Sequence, residues 1–214
     1  MRYTTVIFDL DGTLLNTLDD LTASVNHAMD MMGMPRHTLD EVRRFVGNGV
    51  RVLIRRSVPA GTSDEDYESA YNYFEEHYAV HCKDKTGPYE GVPKMLSELC
   101  KMGYKTAIVS NKIDFAVKEL RDDFFADTVP VAVGDDLKMK NKPAPDMVFK
   151  ALRELGSDKS ECVYVGDTDV DLETAKNAGM DCVSVSWGFR SRAELEGYGA
   201  RMIADVPADI LKFI

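Results

Sequence analysis

Short apolar segments alternate with longer amphipathic ones over most of the chain, and this alternation predicts strands followed by helices. Thr4–Leu10 is apolar and rich in β-branched residues, as expected of a buried strand that leads into a polar cluster. Four similar segments are predicted to be strands: Thr106–Ser110, Val129–Val133, Cys162–Val165 and Cys182–Ser186. Four amphipathic segments are predicted to be helices: Lys94–Met102, Asp114–Phe125, Asp146–Leu155 and Thr168–Ala178. Near-continuous apolar strands that alternate with helices predict an α/β fold, a parallel sheet with helices on both faces.

One stretch departs from this alternation, because no segment in it has strand character. It carries four segments that predict helices: Leu18–Met32, Leu39–Val46, Val50–Val58 and Asp64–Lys83. We therefore expect a small all-α domain, residues 16–87, inserted after the first strand of an α/β core that consists of residues 1–15 and 88–214.

Two helix starts within the insert carry capping signals. Thr17 and Ser63 are predicted N-caps, with Asp20 and Asp66 three residues later, as in a capping box. The turn-rich segment Thr86–Pro93 is the predicted hinge through which the chain returns to the core.

The composition is that of an ordinary globular protein, and its charge narrows the choice of partners. The chain has 214 residues, of which 44% are hydrophobic and 29% charged, which is too apolar for a disordered protein. The formal net charge of −10 repels phosphate backbones and anionic lipids, so we expect neither nucleic acid nor a membrane as a partner. The four cysteines show no CxxC spacing, and the N-terminal segment has strand rather than signal-peptide character. These features predict a cytoplasmic protein with reduced thiols.

Polar residues follow the predicted strands at their carboxyl ends, where open parallel sheets bind ligands. The first strand leads into the sequence DLDGT at residues 9–13, and the second ends in Ser110 and Asn111, followed by Lys112. Lys142 follows the third strand, and the fourth leads into the sequence GDTDVD at residues 166–171. Because parallel strands end at one edge of a sheet, we expect these four polar segments to meet there.

The acidic residues of these segments predict a cation. Asp9 and Asp11 are two positions apart on an extended chain, so their carboxylates lie on one side and repel each other unless a cation or a proton intervenes. Gly12 permits a tight turn and a close approach of backbone N–H groups to an anion. Asp167 and Asp171 are four residues apart, which places them on one face of a helix start. Mg²⁺ suits such a cluster, because it binds carboxylates, waters and a phosphate oxygen.

The series DxDGT, serine, lysine and GDxxxD resembles the motifs of the haloacid dehalogenase superfamily of phosphotransferases, and it spans nearly the whole chain. Within it, the sequences DGTLLNTLDDL, VGNG, PYEGV and VGDTDVDLETAKNAGM are most similar to the phosphoglycolate phosphatase group. Asn16 stands where an aspartate is more usual, but it flanks the hinge rather than the chemistry. The resemblance implies a Rossmann-like parallel sheet core with a small helical cap domain inserted after the first strand.

The resemblance also implies a Mg²⁺-dependent phosphomonoesterase that works through an aspartyl-phosphate on Asp9, with Asp11 as the general acid and base. Ser110 and Lys142 would bind the phosphoryl oxygens. Mg²⁺ would be held by Asp9, the backbone carbonyl of Asp11 and Asp167, with Asp171 as ligand or orienting residue. The predicted substrate-binding residues are Gly12, Thr13, Asn111, Asn48 and Arg51; the last two lie at the VGNG segment of the insert, and Arg51 is the preferred carboxylate contact.

The expected substrate is a small phosphorylated metabolite, with 2-phosphoglycolate first. Within the same chemistry a sugar phosphatase, a nucleotidase, a pyrophosphatase and a β-phosphoglucomutase stay open, and so does a non-catalytic protein that binds a phosphorylated ligand. The first lysine of the chain is Lys83, so the predicted helices of the insert offer no amine for a phosphonatase-type Schiff base before it. The choice between a monomer and a homodimer also stays open.

Overall fold

The computed structural model describes residues 3–214, in which the chain forms two compact units. The core unit comprises the chain up to Leu15 and from Pro88 onward, and the helical unit comprises Asn16–Gly87.

The described residues contain eight strands. They are β1 (Thr5–Phe8), β2 (Leu15–Asn16), β3 (Gly87–Pro88), β4 (Lys105–Ile113), β5 (Val131–Asp135), β6 (Cys162–Gly166), β7 (Asp181–Val185) and β8 (Met202–Ala204). Six of them form one sheet in the order β5-β4-β1-β6-β7-β8, and every neighbouring pair in it is parallel. The short strands β2 and β3 form a separate two-stranded sheet.

Nine α-helices accompany the strands in the described residues. They are α1 (Leu18–Met31), α2 (Leu39–Phe45), α3 (Val50–Ser57), α4 (Asp64–His81), α5 (Val92–Lys101), α6 (Asp114–Phe125), α7 (Asp146–Leu155), α8 (Asp169–Ala178) and α9 (Arg192–Gly197). Two 3₁₀ helices cover Lys159–Glu161 and Pro207–Lys212. In this part of the chain no helix combines the length and the apolar character that crossing a membrane requires.

Both faces of the large sheet are buried, as the continuous apolar strands predict. Successive side chains of a strand point to opposite faces, and in β1 Val6 and Phe8 belong to one hydrophobic cluster while Ile7 belongs to another. The first cluster includes side chains from α5 and α6, and the second includes side chains from α7 and α8. The predicted α/β fold with helices on both faces is therefore confirmed, and β1 lies at its centre.

The helical unit consists of α1 to α4. The predicted cap at Ser63 is confirmed, since its hydroxyl accepts a hydrogen bond from the amide of Asp66. Thr17 occupies the predicted N-cap position of α1, but its side chain accepts no capping hydrogen bond, and Asn16 Oδ1 accepts from the amide of Leu18 instead, at 3.4 Å.

Asp20 was expected to complete a capping box at the start of α1, but its carboxylate binds the far end of the helical unit instead. Its side chain is 2% exposed and accepts hydrogen bonds from the amides of Lys85 and Thr86 and from the Thr86 hydroxyl, at 2.8 to 3.1 Å. Asp20 thus fixes the last residues of the unit to its first helix.

Candidate active site

Three buried carboxylates meet at the carboxyl edge of the sheet. Asp9 directly follows β1, Asp167 directly follows β6, and Asp171 lies in the first turn of α8. One carboxylate oxygen from each lies within 4.8 Å of the other two. Within residues 3–214 this is the one group of three or more metal-ligating side chains that come so close together.

Lys142 contacts two of these carboxylates. Its ammonium donates to Asp171 Oδ1 at 2.8 Å, lies 2.8 Å from Asp9 Oδ1, and donates to the Tyr164 hydroxyl oxygen at 3.1 Å. Asn111 holds the Lys142 backbone from both sides: its Oδ1 accepts from the Lys142 amide at 2.7 Å, and its Nδ2 donates to the Lys142 carbonyl at 3.1 Å. The loop after β5 is thereby tied to β4, which fixes the base of the lysine side chain.

Asp167 is oriented by two hydrogen bonds. Its Oδ1 accepts from the Thr13 hydroxyl at 3.1 Å, and its Oδ2 accepts from the Phe189 amide at 2.7 Å. Gly12 and Gly188 lie so close to Asp167 that a Cβ at either position would collide with its carboxylate. Thr13, predicted as a substrate contact, therefore orients a carboxylate of the cluster.

Burial and the repulsion of neighbouring carboxylates disfavour the charged forms of Asp9 and Asp167. Burial raises the pKa of Asp9 to about 7, with Lys142 opposing the rise and Asp171 adding to it. Burial also raises the pKa of Asp167, and the charges of Asp171 and Asp9 raise it further. Lys142 pairs with two of the three carboxylates, Asp9 and Asp171, so the acidic groups of the cluster outnumber the one ammonium that contacts them. A divalent cation with hard oxygen preference fits this donor set, because it supplies the missing positive charge and binds carboxylate oxygens.

Asp11 points to a second buried lysine. Lys112 Nζ donates to Asp11 Oδ1 at 2.9 Å, and the two side chains are 5% and 15% exposed. The backbone amide of Lys112 donates to Ser110 Oγ at 3.2 Å, so the Ser110 hydroxyl lies next to the backbone of Lys112. The carboxylate of Asp11 lies outside the cluster of Asp9, Asp167 and Asp171.

The two predicted substrate residues of the insert lie in the helical unit. Asn48 belongs to the loop before α3, and Arg51 lies in the first turn of that helix. The Arg51 guanidinium donates to Glu68 Oε1 at 2.8 Å and lies 4.2 Å from the centroid of the Tyr71 ring. Within its own unit, the side chain of Arg51 thus pairs with a carboxylate of the protein.

Comparison with known proteins identifies the family. Residues 6–185 match the family model of haloacid dehalogenase-like hydrolases. The chain belongs to this family. It is 30% identical to a phosphoglycolate phosphatase of Aquifex aeolicus over 98% of this chain and 95% of that protein. It is 29% identical to an N-acetylmuramic acid 6-phosphate phosphatase of Pseudomonas aeruginosa, over 99% of this chain and 94% of that protein.

A solved structure supports the same assignment. A protein from Lactobacillus delbrueckii subsp. bulgaricus superimposes with a TM-score of 0.96 and is 33% identical, covering 100% of this chain and 99% of that one. The predicted superfamily is confirmed, and with it the enzyme class: the chain is a haloacid dehalogenase-like phosphatase that is similar to the phosphoglycolate phosphatase group.

Sequence reasoning missed three contacts that shape the site of this haloacid dehalogenase-like phosphatase. The motifs did not indicate that Lys112 pairs with Asp11, that Tyr164 contacts Lys142, or that the Phe189 amide donates to Asp167. Lys112 was visible as the residue after Ser110 and Asn111, but its partner depends on how the strand ends meet. The other two contacts come from segments with no polar pattern of their own.

Proposed function

We propose that the protein is a Mg²⁺-dependent phosphomonoesterase that forms an aspartyl-phosphate on Asp9, and that 2-phosphoglycolate is its preferred substrate. The observation that carries this proposal is the buried cluster of Asp9, Asp167 and Asp171, two of which pair with the ammonium of Lys142. Such a cluster suits a site in which a cation and a phosphoryl group are bound together. We also propose that the helical unit is the cap and that the enzyme acts in the cytoplasm.

The proposed reaction has two displacements at phosphorus. An oxygen of Asp9 attacks the phosphorus, the bond to the leaving-group oxygen breaks, and Asp11 gives that oxygen a proton. Water then attacks the phosphorus of the aspartyl-phosphate, Asp11 takes up its proton, and phosphate departs with the Asp9 carboxylate restored.

Other residues of the cluster would bind the phosphoryl group and the cation. Ser110 and Lys142 would hold phosphoryl oxygens, where negative charge concentrates in the transition state. Asp9, the carbonyl of Asp11 and Asp167 would hold Mg²⁺, and Asp171 would orient Lys142. When bound, Mg²⁺ offsets the negative charge of the carboxylates and of the phosphate.

Among the candidate substrates, the names of the relatives favour 2-phosphoglycolate most and a sugar phosphate next. A relative named phosphoglycolate phosphatase matches almost the full length of the chain, and so does a relative named for a sugar phosphate. A sugar phosphatase is therefore the second candidate. No feature of the site favours a nucleotidase, a pyrophosphatase, a mutase or a non-catalytic binding protein over these two.

The test is phosphate release from a panel of phosphomonoesters with Mg²⁺. We expect 2-phosphoglycolate to have the highest kcat/KM, EDTA to stop turnover, and Asp9→Asn to be inactive. Asp127→Asn is the matched control, because Asp127 is an exposed aspartate of the core unit. Equal rates for several sugar phosphates would retain the mechanism and overturn the substrate. An active Asp9→Asn variant would overturn the mechanism.

A further inference from the structure

Lys112 is a buried cation that the proposed chemical steps do not use. Among the residues that the structure describes, the buried lysines are Lys112 and Lys142. Lys142 is held between Asp9 and Asp171. The side chain of Lys112 is 5% exposed and lies next to Asp11 instead. A buried ammonium carries a desolvation cost that only a specific anionic partner offsets.

The backbone around Lys112 is shaped by a close contact with the neighbouring strand. The pairing of β4 with β5 is irregular between Val109 and Ile113. At this point a Cβ on Gly134 would lie 2.7 Å from the Lys112 carbonyl oxygen and 2.6 Å from the Cα atom of Asp114. The Gly134 amide donates to Asp114 Oδ1 at 3.0 Å. The lysine therefore projects from a fixed backbone.

The place of Lys112 relative to the reaction follows from Asp11. In the proposed function, an Asp11 carboxyl oxygen lies within about 3 Å of the leaving-group oxygen. Lys112 Nζ lies 2.9 Å from Asp11 Oδ1, so its positive charge lies one carboxyl group away from the leaving-group oxygen. In 2-phosphoglycolate a single methylene separates that oxygen from the carboxylate. A substrate carboxylate thus comes within reach of the ammonium.

We infer that Lys112 recognises a carboxylate on the leaving group, and that the substrate class is small phosphomonoesters with a carboxylate next to the ester carbon. This inference rests on the proposed function. An ammonium is a compact charge with rotatable donors, so it bonds Asp11 and a second carboxylate in different directions. The core unit itself then selects an acidic leaving group. The predicted carboxylate contact Arg51 pairs with Glu68 in the helical unit.

The experiment compares two esters that differ only in the recognised group. Ethyl phosphate has a methyl group where 2-phosphoglycolate has its carboxylate. We expect wild-type enzyme to prefer 2-phosphoglycolate by at least about tenfold in kcat/KM, and Lys112→Met to reduce that preference by about 10- to 100-fold, as for a hydrogen bond between charged groups. The lost preference should be seen mainly in KM, because the contact forms in the ground state as well. Lys112→Arg should retain the preference.

The ratio of kcat/KM for 2-phosphoglycolate to kcat/KM for ethyl phosphate separates two effects of Lys112→Met. A loss of carboxylate recognition lowers this ratio, whereas an effect on Asp11 would slow the hydrolysis of both esters by one common factor. Lys101→Met is the matched control, since Lys101 is an exposed lysine of the core unit that pairs with Glu98. An unchanged ratio in Lys112→Met overturns the role of Lys112 and leaves the proposed function intact. If the ratio of wild-type enzyme is itself near one, the proposed role of Lys112 is overturned, even if Lys112→Met fails to fold. Absence of turnover of every ester by wild-type enzyme overturns the proposed function and this inference together.

Discussion

Lys142 Nζ lies 2.8 Å from Asp171 Oδ1, and both side chains are almost fully buried, with 2% and 1% exposed. The contact joins the loop after β5 to the start of α8, and Asp171 Oδ2 accepts at the same time from the amide and hydroxyl of Thr168. Asp171 therefore connects the lysine of the site to the helix that follows β6. Through these hydrogen bonds, Asp171 fixes the geometry of the site in addition to contributing its carboxylate.

Removal of Lys142 is expected to destabilise the fold strongly. Lys142→Ala leaves the carboxylates of Asp9 and Asp171 buried without their cation, which typically costs about 3–5 kcal/mol. Urea unfolding in metal-free buffer at pH 7 measures the loss. The control is Lys150→Ala, which removes the more exposed pair with Glu154 and should cost less than about 1 kcal/mol. Equal losses for the two variants would contradict the prediction.

Cation binding is expected to weaken as the pH falls. Burial raises the pKa of Asp9 to about 7, so at pH 6 a proton occupies the carboxyl that the cation requires, and at pH 8 it has left. Competition at Asp9 alone predicts a Kd for Mg²⁺ that is about tenfold higher at pH 6 than at pH 8. Titration calorimetry at both values measures it. The same Kd at the two values would refute the prediction, and Asp9→Asn should lose this dependence.

Without a cation, the raised pKa values have the opposite consequence for stability. The folded protein keeps protons on Asp9 and Asp167 above the ordinary carboxyl pKa near 4, whereas the unfolded chain releases them there. Their contribution to the free energy of unfolding therefore falls as the pH rises from about 4 towards 7. Urea unfolding of metal-free wild type and Asp9→Asn across this window should show that the wild type loses more stability. Parallel curves would contradict the expectation.

Gly12 and Gly103 have similar backbone conformations, so alanine substitutions at the two positions distinguish backbone strain from a steric collision of the added Cβ. Gly12 and Gly103 have φ values of 88° and 84°, but only at Gly12 would a Cβ collide with neighbours, namely Asp167 and Phe189. Gly103→Ala should cost about 1–2 kcal/mol from the left-handed backbone alone. Gly12→Ala should cost more and weaken Mg²⁺ binding, because it displaces Asp167. Calorimetry and thermal unfolding of both variants measure the difference, and equal behaviour would mean that the close approach has no energetic role.

Asp20 is expected to stabilise the helical unit far more than its neighbour in sequence. Asp20→Ala leaves the amides of Lys85 and Thr86 without their charged acceptor, which should cost about 3 kcal/mol. Asp19→Ala removes only an exposed pair with Lys85 at 3.7 Å and should cost less than about 1 kcal/mol. Hydrogen exchange of the two amides should accelerate in Asp20→Ala alone. Acceleration in both variants would argue against a specific role for the buried carboxylate.

The residues of the site that the sequence predicted are those whose position follows from local geometry. Asp9 and Asp167 directly follow apolar strands, so the parallel sheet alone places them at one edge. The partners of these residues did not follow from local geometry. Lys112 contacts Asp11 from a part of β4 where the pairing with β5 is irregular, and the two residues are 101 positions apart. Contacts of this range are set by tertiary packing, which no periodicity along the chain records.

The same distinction applies to the fold. The long apolar strands were predicted because their sequences are continuous, but β8 was missed because Met202–Ala204 is three residues long and its strand character depends on pairing with β7. Thr17 has the right residue type for a cap, yet its backbone is not extended as a capping residue requires, with φ −109° and ψ 1°. Residue type predicts a cap only when the chain enters the helix in the ordinary way.

The central position of β1 has a consequence for how the protein is made. Thr5 pairs with Lys105 on one side and with Cys162 on the other, so a growing chain carries this apolar strand long before either neighbour exists. At roughly 5–20 residues per second, several seconds pass before the first neighbour is synthesised. The helical unit, by contrast, is contiguous in sequence. We expect it to gain structure on the ribosome first, while the strand that precedes the proposed nucleophile stays unpaired until its neighbours are synthesised.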